Sequence, residues 1–307
     1  MTDPMTVFNR RAVRRHRDRA AAGMAGGLEG GDFLLRESAE RLADRLDDVT
    51  RSFPLALDLG CHTGQLGRVL GRRGGIEILV QCDLSEAMAK HAGNFSLAAD
   101  EEFLPFGNQT FDLILSNLSL HWVNDLPGAL VQARRALRPD GLFLAAVLGG
   151  ETLRELRQAL AEAEIAEEDG LSPRVSPMAD VRDLGALLQR AGFALPVVDS
   201  DTVTVMYTDP MAVMTDLRAM GETNAVAESR KGFTRPGTLA AAAARYGELF
   251  GGEDGKVPAT FQIITLTGWA PDPSQQQPLK PGSAATRLAD ALGTEERPLP
   301  DKAKPDG

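Results

Sequence analysis

Leu55-Ala56-Leu57-Asp58-Leu59-Gly60-Cys61-His62-Thr63-Gly64 is the stretch on which the reading of the fold turns. Behind Pro54 runs a short unbroken apolar segment, the pattern of a strand buried on both faces. It closes in a glycine-bearing turn and feeds the helical pattern Gln65-Leu66-Gly67-Arg68-Val69-Leu70. A strand, a tight turn and a helix in that order present free backbone N–H groups at a helix N-terminus, where nucleotide-like ligands are held.

A glycine turn alone is weak evidence, and the discriminating residue is an acid at the end of the next strand. Residues 76–82 read as that strand and lead into Asp83 and Leu84, roughly 25 residues beyond Asp58, as a ribose-binding carboxylate requires. The turn runs Asp58-x-Gly60-x-x-x-Gly64 in place of G-x-G-x-x-G, with an acid on the strand itself. Such an acid repels a pyrophosphate and favours an ammonium or sulfonium group. S-adenosylmethionine carries both, so Asp58, Gly60, Cys61, Gly64, Asp83 and Leu84 are expected to hold it; the bland alternative is a strand-to-helix turn with no ligand.

The alternation continues. Ser85 is an N-cap for a helix reaching about His91, residues 95–99 form a weak third strand, and 111–115 a strong fourth. A helix near 126–137, a turn at Pro139-Asp140-Gly141 and a strand over 142–147 complete the series. Strict alternation of strand and helix means a parallel sheet covered on both faces. Helical patterns at 151–165 and 177–191 flank Gly170-Leu171-Ser172-Pro173, expected to be a mobile loop. Residues 197–207 and 260–269 read as the last strands, with a helical insertion at 210–220 and 237–250 between them that can cover a ligand cleft.

This gives four segments: a basic N-terminal arm at 1–32, a ligand-binding Rossmann-like core at 33–150, the remaining strands with their insertion at 151–270, and a tail at 271–307 whose Pro, Gln, Lys and Asp content predicts disorder. The arm carries Arg10, Arg11, Arg14, Arg15, Arg17 and Arg19 between alanines. A transit peptide, an arm for an acidic partner or membrane surface, and a solvated helix all stay open.

Asp100 and Glu101 end the third strand, where an acid accepts the adenine amino group; a charged loop start is the plain alternative. Ser116 ends the fourth strand at the carboxyl edge, where ligands of open α/β folds sit. His121 follows and is the candidate general base, with Trp122 as a pocket wall, although a lone histidine is more often structural.

These runs, with Phe111-Asp112-Leu113-Ile114-Leu115-Ser116, resemble the class I S-adenosylmethionine-dependent methyltransferases. That resemblance implies a Rossmann-like sheet, mostly parallel with an antiparallel last strand. Leu118-Ser119-Leu120-His121-Trp122-Val123-Asn124-Asp125-Leu126-Pro127, Gly149-Gly150-Glu151-Thr152-Leu153-Arg154-Glu155-Leu156-Arg157, Arg190-Ala191-Gly192-Phe193 and Val257-Pro258-Ala259-Thr260-Phe261-Gln262-Ile263 are more specific. They resemble the family of mitochondrial respiratory complex I assembly factor 5 and its bacterial relatives, over about residues 8–284. The resemblance implies hydroxylation of an arginine on an iron–sulfur subunit of complex I. A malonyl-carrier-protein methyltransferase is a more distant relative, so a conventional methyltransferase on a small molecule or carrier protein, or a non-catalytic assembly chaperone, are the alternatives. One departure is His62, where the family usually has glycine; a side chain there is expected to crowd the methionine end of the cofactor. No two-His-one-carboxylate pattern is evident, and no metal is expected.

The whole-chain balance bounds the function. A net charge of −10 over 307 residues argues against nucleic acid as a partner. Two cysteines, Cys61 and Cys82, supply neither a disulfide framework nor a zinc site, and they read as small buried residues of a reducing compartment. No apolar run is long enough for a transmembrane helix, leaving peripheral contact through the basic N-terminus as the one membrane option. A bacterial cytoplasmic location is expected, with the mitochondrial matrix as the alternative.

Overall fold

The computed structural model describes residues 6–25, 31–168, 170–230, 232–276, 283 and 286–295. In chain order the elements of residues Met1–Asp272 are α1 (Arg10–Ala25), α2 (Phe33–Asp47), β1 (Leu55–Leu59), α3 (Gln65–Leu70), β2 (Ile78–Asp83), α4 (Glu86–Ala92), β3 (Ser96–Ala98), β4 (Phe111–Asn117), α5 (Leu126–Ala136), β5 (Leu137–Leu148), α6 (Arg154–Glu168), α7 (Val181–Arg190), β6 (Ala194–Tyr207), α8 (Pro210–Met220), α9 (Pro236–Phe250) and β7 (Val257–Trp269). The strands form one sheet in the order β3-β2-β1-β4-β5-β7-β6. The first five run parallel, and β7 is antiparallel to both β5 and β6. This is the expected mostly parallel sheet with an antiparallel last strand, and α8 and α9 are the expected insertion between β6 and β7.

The central strands carry continuous apolar runs because both faces are covered, and alternate residues serve different layers. Ala56, Leu113, Leu115, Leu142 and Leu144 pack with Leu35, Leu42 and Leu46 of α2, Leu156 and Leu160 of α6 and Tyr246 of α9. Leu57, Leu59, Ile114, Phe143 and Val147 pack with Leu130 and Ala133 of α5 and Leu184 and Leu188 of α7. Helices α4, α5 and α8 start on side-chain caps: Ser85 Oγ accepts from Met88 N at 3.1 Å, Asp125 from Gly128 N, and Asp209 from Met211 N.

Two local expectations change. Pro139-Asp140-Gly141 does not separate a helix from a strand; β5 begins at Leu137, and its register against β4 jumps from Phe111↔Leu137 to Leu113↔Leu142, so the three residues bulge out of a continuous strand. The Gly170–Pro173 stretch is tied down, Ser172 donating to Glu164 through both its N–H and its hydroxyl at 2.8 and 2.7 Å. In the separate unit Pro273–Gly307, where the composition predicts disorder, a short helix α10 (Leu288–Leu292) ends on Gly293 at φ +63°; residues 277–282, 284–285 and 296–307 of that tail lie outside the described residues.

Two features of the β1 turn yield measurable consequences. Gly64 has φ +84°, and a Cβ there would lie 2.6 Å from the Ala92 carbonyl oxygen. Gly64→Val is therefore expected to cost about 2–4 kcal/mol in urea unfolding, and a change below 0.5 kcal/mol would show that the turn relaxes freely. Asp58 is buried on β1, its Oδ2 accepting from Gln81 Nε2 at 3.1 Å. Burial pushes its carboxyl up to about 7, against the Gln81 hydrogen bond and with a further push from Asp83. Because the folded value lies above the ordinary one, the native chain loses stability as pH rises from about 4 to about 7. Asp58→Asn removes that loss, so its stability relative to the native chain should climb over this window, by at most about 1.4 kcal/mol per pH unit, and level off above it. Parallel stability curves would contradict this.

Candidate functional site

The carboxyl ends of β1, β2 and β4 and the loop after β3 meet at one edge of the sheet, where the strand order reverses between β1 and β4. Asp83, at the end of β2, is fully buried and braced by two backbone donors, His62 N to Oδ2 at 3.0 Å and Ser85 N to Oδ1 at 2.8 Å. Glu101, also fully buried, accepts from Ser119 Oγ at 2.7 Å through Oε1. A side chain at Gly60, φ +74°, would collide with Ser119, so the glycine is needed for this close approach.

The arginines of α1 close the cluster. Arg17, 1% exposed, donates from Nη1 to both Asp83 oxygens at 3.2 Å and to Glu101 Oε1 at 2.7 Å, and from Nη2 to Ser119 Oγ at 2.8 Å. Arg10 donates to Asp100 Oδ1 at 2.6 Å, to Glu101 Oε2 and to the Trp122 carbonyl. Burial works to raise the Glu101 carboxyl, and Arg17 and Arg10 outweigh it, holding it far below the usual carboxylate range. The N-terminal segment is thus no solvated arm: Arg11, Arg14, Arg15 and Arg19 face solvent, while Arg10, Val13, Arg17, Ala20 and Ala21 face the sheet edge. Their i, i+3, i+7 spacing was the available signal for this face. Residues 1–5 and 26–30 of the segment lie outside the described residues.

The other predicted residues distribute as follows. Asp100 and Glu101 join Asp83 around the two guanidiniums. Asp58 lies beneath, close enough to Asp83 to feel its charge, with one oxygen unpartnered. Leu84 packs against the small cluster of Phe8, Val13 and Trp122 beside α1. The Ser116 hydroxyl donates to the Leu59 carbonyl at 2.7 Å, tying β4 to β1. Cys61 and Cys82 are buried thiols, and burial raises both well above the ordinary value. Their backbones meet, Cys61 N donating to the Cys82 carbonyl.

His62 adopts φ +49°, its ring held by Nε2 donating to the Asn117 and Leu118 carbonyls at 3.1 Å. Burial lowers its pKa, and the Arg17 charge lowers it further. His121 Nε2 lies 2.9 Å from Glu222 Oε2, which also accepts from Trp122 Nε1 at 2.9 Å. Burial works to raise Glu222, and His121, His62 and Arg17 together hold it lower. Glu222 follows Gly221, the left-handed C-cap of α8, and nothing in its sequence neighbourhood marked it.

Beyond the His121–Glu222 pair lies a cavity of about 380 Å³ lined by Trp122, Glu222, Leu156, Leu160, Met214 and Arg218. A larger one of about 640 Å³, lined by Val7, Gly150, Arg157 and Val175, holds none of the predicted residues. Among the described residues, no group of three or more His, Cys, Asp or Glu is placed to hold a metal ion, and no helix is long and apolar enough to cross a membrane.

Residues 57–145 match the family model described as "Methyltransferase domain". The chain is 46% identical to "Arginine-hydroxylase NDUFAF5, mitochondrial" of Danio rerio, across 93% of this chain and 89% of the relative. It is 35% identical to the "Malonyl-[acyl-carrier protein] O-methyltransferase" of Methylovorus sp., across 88% and 92%. Among solved structures, the YcgJ protein of Bacillus subtilis aligns with a TM-score of 0.52 at 14% identity, covering 75% of this chain and 98% of that one, a likeness of fold alone. With its α/β sheet order, its glycine turn and this degree of identity over nearly its whole length, the chain belongs to the NDUFAF5 arginine-hydroxylase family of the class I methyltransferase superfamily.

Proposed function

We propose that the chain binds S-adenosylmethionine in the acid crevice and modifies an arginine of an iron–sulfur subunit of respiratory complex I. The observation that carries this reading is the convergence of Asp83, Asp100 and Glu101 on cationic groups at the switch point of a methyltransferase sheet. The acceptor set suits the cofactor once Arg17 is drawn off: Asp83 has two oxygens braced by backbone N–H groups, a pair suited to a ribose diol, and no side chain stands at Gly60. Asp83 would hold the ribose, Asp100 or Glu101 the adenine amino group, and the turn over Gly60, Cys61 and Gly64 the methionine end, with Leu84 beside the adenosine. The three acids balance the cofactor's positive charge. When bound, the cofactor supplies a sulfonium-activated methyl group.

In this reading the 380 Å³ cavity receives the substrate side chain, its apolar wall of Leu156, Leu160 and Met214 matching an arginine stem and Glu222 standing as counter-charge. His121, fixed by Glu222, orients the reacting group between cavity and crevice. The arginine reading draws on the relative's name, arginine hydroxylase. Hydroxylation converts a C–H into a C–OH, and the oxygen donor and reductant come from outside the chain. The second reading, methyl transfer to a carboxyl group of a carrier-bound substrate, draws on the 35% identity to the malonyl-carrier-protein methyltransferase, with Arg218 at the cavity wall as a carboxylate partner.

Mass spectrometry of the iron–sulfur subunit from cells with and without this protein tests the two. One added oxygen on an arginine supports hydroxylation, one added methyl supports methyl transfer, and an unchanged subunit contradicts both for this substrate. In calorimetry, Asp83→Asn is expected to weaken S-adenosylmethionine binding roughly tenfold or more, since one oxygen of the bidentate pair becomes a donor. Glu222→Gln should bind the cofactor as the native chain does while product formation falls roughly tenfold or more. Equal product formation by Glu222→Gln would remove the His121–Glu222 pair from the reaction.

A further inference from the structure

We propose that α1 is a displaceable strap that competes with the adenosyl cofactor for the same carboxylates, Arg17 occupying the ribose-binding position. The inference rests on the assignment of Asp83 to the ribose and adds a regulatory contact to that site. Each oxygen of Asp83 is already used twice, once by a backbone N–H and once by Arg17 Nη1. A ribose diol needs the lone pairs that Arg17 takes. Because the guanidinium is 1% exposed and wedged between Asp83, Glu101 and Ser119, no ribose fits beside it, and one occupant must leave before the other enters.

Charge makes the exchange feasible. Two guanidiniums face Asp83, Asp100, Glu101 and, at 3.8 Å from Arg10, Glu102, so the cluster carries two net negative charges. S-adenosylmethionine, with a sulfonium, an ammonium and a carboxylate, carries one net positive charge, the same as the arginine it replaces. The swap therefore leaves the buried net charge unchanged, where simple withdrawal of Arg17 would take from Asp83 its ion-pair partner and leave Glu101 with Arg10.

Among the described residues, the buried apolar side chains of α1 are Val13, Ala20 and Ala21, the alanines packing on Met88. Its polar ties include His16 Nδ1 to the Thr223 carbonyl at 3.1 Å and Ser85 Oγ donating to Asp18 Oδ1 at 2.5 Å. The chain just ahead of the helix is fixed as well. Phe8 N and O bond the Asn124 side chain at 2.7 and 3.1 Å, the Phe8 ring meets Trp122 edge-on at 5.3 Å, and Asn9 N donates to the Ala225 carbonyl. The start of the strap is anchored, and the stretch carrying Arg17 is what moves.

The decisive measurement is amide hydrogen exchange of the native full-length chain with and without S-adenosylmethionine, alongside calorimetry of Arg17→Gln. Amides in residues 10–25 should exchange faster when the cofactor binds, and Arg17→Gln should bind it about tenfold more tightly because the competing occupant is gone. Slower or unchanged exchange over 10–25, or weaker binding by a folded Arg17→Gln, would overturn the strap and make Arg17 a wall or a ligand of the cofactor. Should Arg17→Gln fail to fold, the exchange result on the native chain decides alone. If instead Asp83→Asn binds S-adenosylmethionine as tightly as the native chain, the ribose assignment has failed, whatever α1 does.

Discussion

A guanidinium buried between two carboxylates is the constraint on which the rest of the sheet edge depends. Arg17 reaches Asp83 at the end of β2, Glu101 after β3 and Ser119 after β4, so one side chain sets the relative positions of three strand ends and the helix that delivers it. Desolvating such ions is costly, and only a nearly complete set of partners offsets it; removing one partner from a buried pair typically costs about 3–5 kcal/mol. Asp83 accepts four hydrogen bonds from three donor groups, and Glu101 has Arg17, Arg10 and Ser119. The edge is therefore rigid where the carboxylates sit, while the cations that satisfy them arrive on a separate helix.

The acids of this region divide by environment. Glu101 lies between two arginines and stays ionised, whereas Asp58, a strand away and offered only an amide, is pushed up to about 7. Equal burial thus gives opposite outcomes, decided by whether a cation is within reach. The neutral tendency of Asp58 suits a residue that supports the turn from below, and the fixed charge of Glu101 suits one that meets a cation in the crevice.

The second half of the chain adds what the Rossmann-like half lacks. The inserted α8 ends on Gly221 and delivers Glu222 to His121 and Trp122, joining the insertion to the loop after β4. A frame shared by hydroxylases and methyltransferases does not itself choose the reaction, and the choice falls to the side chains around the cavity and to what enters it. Glu222 and Arg218, of opposite charge, line the same cavity.

Much of this was legible in one dimension. Unbroken apolar runs, glycine turns and capping residues are local signals, and they placed the strands, most helix starts, the order of elements, and Asp83 with Asp100 and Glu101 at the carboxyl edge. The bulge at Pro139–Gly141 was missed because a turn motif and a bulge share the same residues and differ only in whether the neighbouring strand continues to pair across them. Ser116 was read as a ligand residue from its position at a strand end, but side-chain direction there depends on which carbonyl lies opposite. Arg10 and Arg17 looked like members of a solvated basic run. A sequence records that a charge exists, and only the folded chain shows whether a carboxylate from a distant strand stands opposite it. Burial of an arginine depends on partners 66 and 84 residues away, and no local pattern carries that information.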